Sequence, residues 1–210
     1  MKAMLNFDDL IGNFGPEAVR RLASEANWDD GAIGAMNSKT AESRPQILRS
    51  WLSSYAVFQG FDGSRRDALA KAVLDWADHQ PEDSRLETLD ALIRAHADLM
   101  AACSQANGRG RDFTSLASKA LWLRYPDAVP LYDRFAQDAL WLLSKLESDL
   151  PSVPKGATRY GAFAFFWRTL YDRYAPSIAA IDNNGYRYQV RIFDRILWLI
   201  GEPVYGSSAI

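Results

Sequence analysis

The sequence predicts an all-α protein, a multi-helix bundle of about eight to ten helices. Apolar residues recur at helical spacing along several long stretches, and no run alternates with period two over a strand's length. Hydrophobic residues make up 48% of the 210, with seven Trp, nine Tyr and ten Phe, which is enough for a sizeable core and excludes a disordered chain.

Taken in order, Phe7 to Phe14 reads as a short helical turn closed by Gly12 or Gly15, and Pro16 opens a helix through Ala26. Trp28 to Ala41, with Gly31, Gly34 and Asn37, reads as irregular chain rich in turns. Pro45 starts a helix carrying Ile47, Leu48, Trp51, Leu52, Tyr55 and Phe58, an aromatic stripe of the kind that fills a core, and Gly60 stops it. Gly63-Ser64 precedes a helix to Gln80 with His79 in its last turn. Ser84-x-x-Glu87 has the pattern of a capping box and opens a helix to Ser104, with His96 on its inner edge as a core histidine bonded to a neighbour.

After the turn Asn107-Gly-Arg-Gly-Arg111, the spacing predicts a helix to Arg124, a proline-bounded hairpin, and a helix to about Asp149. That last helix carries Phe135, Ala139, Leu142, Leu143 and Leu146 on one face. Pro151 and Pro154 mark a linker, Thr158 to Tyr174 is a very aromatic helix, Pro176 begins a shorter one, and Tyr186 to Ile200 is the last before a loose tail.

The net charge is −2, so the chain as a whole has no basic signature for nucleic acid. The balance is uneven: residues 1–100 hold 11 basic against 16 acidic residues, and residues 101–210 hold 13 against 10. The reading is therefore a single helical domain, 1–210, with room for an acidic lobe, 1–105, and a basic lobe, 106–210. Between residues 155 and 195, Lys155, Arg159, Arg168, Arg173, Arg187, Arg191 and Arg195 meet only Asp172, Asp182 and Asp194, which is either a basic face or a set of locally paired arginines.

A single cysteine, Cys103, allows no internal disulfide, and with only His79 and His96 beside it there is no zinc cluster. The expectation is a cytoplasmic protein with no metal and no cofactor. Early acids at Asp8 and Asp9 argue against a signal peptide, and the longest apolar runs are too short to span a bilayer, so no membrane partner is expected.

Chemistry concentrates in residues 113–136, Phe-Thr-Ser-Leu-Ala-Ser-Lys-Ala-Leu-Trp-Leu-Arg-Tyr-Pro-Asp-Ala-Val-Pro-Leu-Tyr-Asp-Arg-Phe-Ala. On a helix capped by Thr114 or Ser115, the surface neighbours of Lys119 are Ser115, Leu116, Trp122 and Leu123. Desolvation among such groups favours a neutral, nucleophilic amine, whereas a lysine whose stem merely crosses the apolar patch keeps its charge in water. Asp133 falls at the cap or in the first turn of the next helix, where an acid complements the helix dipole.

This arrangement resembles the core of the helix-hairpin-helix DNA glycosylases, the superfamily that includes the 8-oxoguanine glycosylases. Their pattern is roughly Gly-Val-Gly-x-Lys-x-Ala, an apolar helix, then Pro-x-Asp-Thr/Ser-His/Arg-Val. Ser115-Leu116-Ala117-Ser118-Lys119 aligns with the first part and Pro130-Leu131-Tyr132-Asp133 with the second. Ser115 and Ala117 stand where the family has glycines, and Arg134 and Phe135 follow the aspartate. The resemblance implies that Lys119 attacks the sugar C1′ to form a Schiff base and that Asp133 assists and steadies the oxocarbenium-like charge. The same core is similar to that of glycosylase-fold components of bacterial antiphage systems.

Around this pair, Trp122 and Tyr132 are candidate walls of a base pocket, and Arg109 and Arg111 candidate phosphate contacts. The expected function is a glycosylase-like protein acting on a nucleobase or nucleoside of DNA, RNA or a nucleotide, in genome maintenance (DNA repair) or antiviral defence. The alternatives are a non-catalytic helical module that binds nucleic acid, a nucleotide or a protein partner, and a structural subunit using the aromatics of 158–174 as an interface.

Overall fold

The structure is a computed structural model that describes residues 6–39, 42–81, 86–108, 110–147 and 149–206, the side chains of 203–206 excepted. Among the described residues the chain forms nine α-helices and no strand, the all-α class that the apolar spacing predicts. None of these helices is long and apolar enough to cross a membrane.

The chain divides into two compact units: Ala26–Leu131, and Met1–Glu25 together with Tyr132–Ile210. Position 105/106, where the charge shift suggested a division, lies inside the first of these, within the continuous helix Leu89–Asn107.

The unit Ala26–Leu131 contains α2 (Ala26–Asn37), α3 (Arg44–Ser54), α4 (Gly63–Asp78), α5 (Leu89–Asn107) and α6 (Thr114–Arg124). Helix α2 occupies the stretch read as irregular. Its Asp29, Ala32, Ala35 and Met36 are buried, and this burial outweighs the helix-weakening Gly31 and Gly34, both of which face solvent. Helix α3 ends at Ser54, short of the predicted stop at Gly60. Ala56 takes a left-handed φ of 56°, and Phe58 is buried from the turn that follows.

Helix α4 is capped by Asp62, whose carboxylate accepts from the Arg65 N–H at 2.9 Å. The helix start expected at Ser84 lies outside the described residues. Helix α5 begins at Leu89 under the Thr88 hydroxyl, which accepts from the Ala91 N–H at 3.1 Å. It ends at Gly108, whose φ of 64° suits the left-handed C-terminal position.

Helix α6 packs against α2, α3 and α5. Nine of its eleven residues are buried, so it is enclosed on nearly every side rather than amphipathic. Leu121, Trp122 and Leu123 are all fully buried, each stabilising the unit by about 1.5–3 kcal/mol.

The second unit consists of α1 (Phe7–Ala23), α7 (Arg134–Leu146), α8 (Arg159–Ala179) and α9 (Gln189–Gly206). Helix α9 packs against each of the other three. Where prolines and glycines predicted breaks, three of these helices run through them: α1 continues past Pro16, α8 past Pro176, and α9 past Gly201 and Pro203. A proline removes one N–H from the ladder, and continuous apolar faces offset that loss. On α1 the face is Phe7, Leu10, Ile11, Ala18, Val19 and Leu22; on α8 it is Tyr160, Phe163, Trp167, Leu170 and Ile178. Helix α7 buries Ala136, Ala139, Leu140 and Leu143, while Leu146, expected on that face, is exposed.

Both units use the same device at their centres. In one, the Trp51 indole N–H donates to the carboxylate of fully buried Asp29 at 2.9 Å; in the other, the Trp167 indole N–H donates to buried Asp194 at 2.7 Å. Each carboxylate gains a charge-assisted hydrogen bond where leaving it bare would be costly.

Candidate functional site

Lys119 sits midway along α6, one turn after Ser115, so their side chains share a face of the helix. The lysine is 3% exposed. Its Nζ donates to the Ser115 hydroxyl at 2.8 Å and lies 5.8 Å from the centre of the Tyr55 ring. The ammonium therefore does not trail past its apolar neighbours into water. It is held inside the unit by its own helix and by an aromatic from the end of α3.

The aromatic surroundings are continuous. Tyr55 packs on Trp51 with ring centres 4.4 Å apart, and Trp51 stacks on Trp122 at 5.8 Å with planes 12° apart. Asp29 fixes the Trp51 indole through its ring N–H. Trp122 is wholly buried and belongs to this stack. Sequence reading placed Ser115 and Trp122 beside Lys119 but missed three contributors. Trp51 and Tyr55 resembled any core stripe, and Asp29 lay in a stretch that gave no helical signal.

The segment aligned with the glycosylase hairpin, 115–117, lies within the first turn of α6. The Ala117 N–H is spent on the Phe113 carbonyl at 2.8 Å, and the Ser118 hydroxyl donates to the Ser115 carbonyl at 3.0 Å. Arg111 is exposed and pinned: its guanidinium donates to the Gln59 carbonyl at 2.8 Å and lies 4.1 Å over the Phe61 ring. Arg109 lies outside the described residues.

His96 is buried on α5 with Nε2 3.1 Å from the Thr114 carbonyl, which can only accept, so Nε2 carries the proton. Burial drives its pKa down to about 4, against the opposing pull of that hydrogen bond and of Asp112. His96 is thus the bonded core histidine that its helical position predicted. Burial also pushes the Cys103 thiol up to about 12, leaving it unreactive.

Lys119 belongs to the unit Ala26–Leu131 and Asp133 to the other. Asp133 is the N-cap of α7, its Oδ1 accepting from the Ala136 N–H at 2.8 Å, which is one of the two positions the sequence allowed. Next to it, Tyr132 is 8% exposed, donates its hydroxyl to Gln137 Oε1 at 2.8 Å, and meets Phe163 edge-on at 5.1 Å.

The arginines of 155–195 find acids outside that window. Arg173 pairs with Glu147 at 2.8 Å and Asp149 at 2.9 Å, and Arg195 and Arg191 meet Glu25 at 2.7 and 3.6 Å. These pairings neutralise part of the predicted basic stripe.

Among the described residues no group of three or more His, Cys, Asp or Glu side chains is placed to hold a metal ion. The chain matches no protein-family model, no curated protein and no solved structure.

Proposed function

We propose that the chain is a glycosylase-like protein acting on a nucleobase or nucleoside, with Lys119 as its attacking amine. The observation that supports this most is the enclosure of the Lys119 ammonium on α6, bonded to Ser115 and facing Tyr55. The Ser115 hydroxyl and the Tyr55 ring fix the position of the amine, the group that attacks in this reading.

In the proposed step the amine lone pair attacks the sugar C1′. The glycosidic C–N bond breaks with its electron pair passing to the base, which takes up a proton. Loss of the amine proton and opening of the sugar ring give an imine, and water later releases the lysine. The assisting role that the resemblance assigns to Asp133 is a separate element of the proposal.

The test is release of free base from single-stranded DNA, RNA and nucleotides carrying normal, deaminated and oxidised bases. Base release by the wild type that Lys119→Met abolishes, while helical content is kept, supports the reading. Asp133→Asn retains a good helix cap and removes only the charge, so loss of release in that variant assigns the carboxylate its role. No release from any substrate contradicts catalysis.

A second reading, a non-catalytic helical binding module, is favoured by one observation. The backbone N–H of Ala117, where the family approaches a phosphate, is consumed within α6. Salt-dependent oligonucleotide binding without base release identifies that case.

A further inference from the structure

A groove of about 760 Å³ opens in the unit of α1, α7, α8 and α9, between α1 and the C-terminal end of α8. Its volume is in the range of small-molecule sites. Ile11 and Val19 behind it are almost wholly buried, so its accessible apolar surface comes from Pro16, Ala180 and Ile181, and its lining includes Gly12, where a methyl group would meet nothing within 4 Å.

The polar groups around it are mostly acceptors. Asp8 and Asp182 both line the groove, and the Ser177 hydroxyl already donates to Asp8 Oδ1 at 2.5 Å. Pro16 has no N–H, so the Gly12 carbonyl lacks the helical donor four residues on. Helix α8 points its C-terminal, negative end at Ala180 and Ile181, and its last turn contains no basic residue. Among the described residues Arg20 is the one cation of the lining, and both its Nε and Nη2 are bound to Glu17 at 2.7 Å. Asn184 supplies a side-chain amide and a backbone N–H, the latter already donating to Asp182 Oδ1 at 3.0 Å.

We propose that this groove binds a small organic cation, a primary ammonium on an aryl or alkyl body. The body lies on Pro16, Ala180 and Ile181, and the N–H groups reach Asp8, Asp182 and the Gly12 carbonyl. An anion meets the negative helix end and two carboxylates, and a neutral alcohol forgoes the charge term.

The test is titration of the full ¹⁵N-labelled chain with 2-phenylethylammonium, 2-phenylethanol and phenylacetate. The expected result is saturable amide shifts at residues 8–20 and 177–184 for the amine, with affinity about tenfold above that of the alcohol and no binding of the acid. Asp8→Asn and Asp182→Asn each weaken the amine about two- to fivefold, as expected for exposed charges. Gly12→Leu fills the groove without a clash in the helix and removes the shifts. The proposal is overturned by no saturable shift up to about 10 mM amine, by equal binding of the alcohol, or by shifts that survive Gly12→Leu.

Discussion

Gly201 of α9 packs against the backbone of Phe135 at the start of α7. A methyl group at 201 would sit on the Phe135 carbonyl oxygen and 2.7 Å from its carbonyl carbon. Helices can approach this closely only where one of them lacks a side chain. The contact also explains why α9 continues past Gly201: the glycine is a packing residue here, whereas in sequence it reads as a stop. The Phe135 ring lies edge-on to Trp198, 5.3 Å away on the same pair of helices.

Gly201→Ala is therefore expected to destabilise the protein by about 3 kcal/mol or more, since the atoms in the way are backbone and cannot rotate aside. Chemical denaturation of the variant checks this. A change below about 0.5 kcal/mol, the range of ordinary surface substitutions, contradicts the close approach.

Gly31 and Gly34 are the opposite case. Both face solvent on α2, and a methyl at either meets nothing within 4 Å. Gly31→Ala and Gly34→Ala should each stabilise the protein by about 0.5–1 kcal/mol, because alanine gives up less chain entropy in a helix. Denaturation midpoints that fall in either variant would place the stretch outside a helix.

His96 makes stability depend on pH in a defined direction. In the folded protein its pKa is lowered from 6.5 to about 4, so between these values the unfolded chain binds a proton that the folded chain refuses. Its contribution is complete above pH 6.5 and is lost as pH falls towards 4, by roughly 3 kcal/mol over the whole interval. His96→Gln, whose amide can still donate to the Thr114 carbonyl, should flatten the stability profile over that range in urea titrations. An unchanged slope contradicts the assignment.

The sequence revealed the fold class and the cores of most helices because apolar spacing is a local signal. Prolines and glycines were less legible. Pro16, Pro176 and Gly201 marked breaks by local rules, yet each lies within a helix that tertiary burial carries through. Helix α2 escaped notice for the same reason, since its buried face is Ala32, Ala35 and Met36 around Asp29 and carries no large stripe. At the candidate site, the neighbours of Lys119 along its own helix could be read from spacing, whereas Tyr55, Trp51 and Asp29 arrive from other helices.

In the proposed reaction the amine of Lys119 is chemically competent. Borohydride reduction of the wild-type chain mixed with an abasic-site oligonucleotide tests it most directly, with the adduct located by peptide mass spectrometry. A covalent adduct is expected on the peptide containing Lys119, and none on Lys119→Met. Absence of an adduct from the wild type, or an adduct mapped only to other lysines, contradicts it and leaves Lys119 as a buried packing residue of α6.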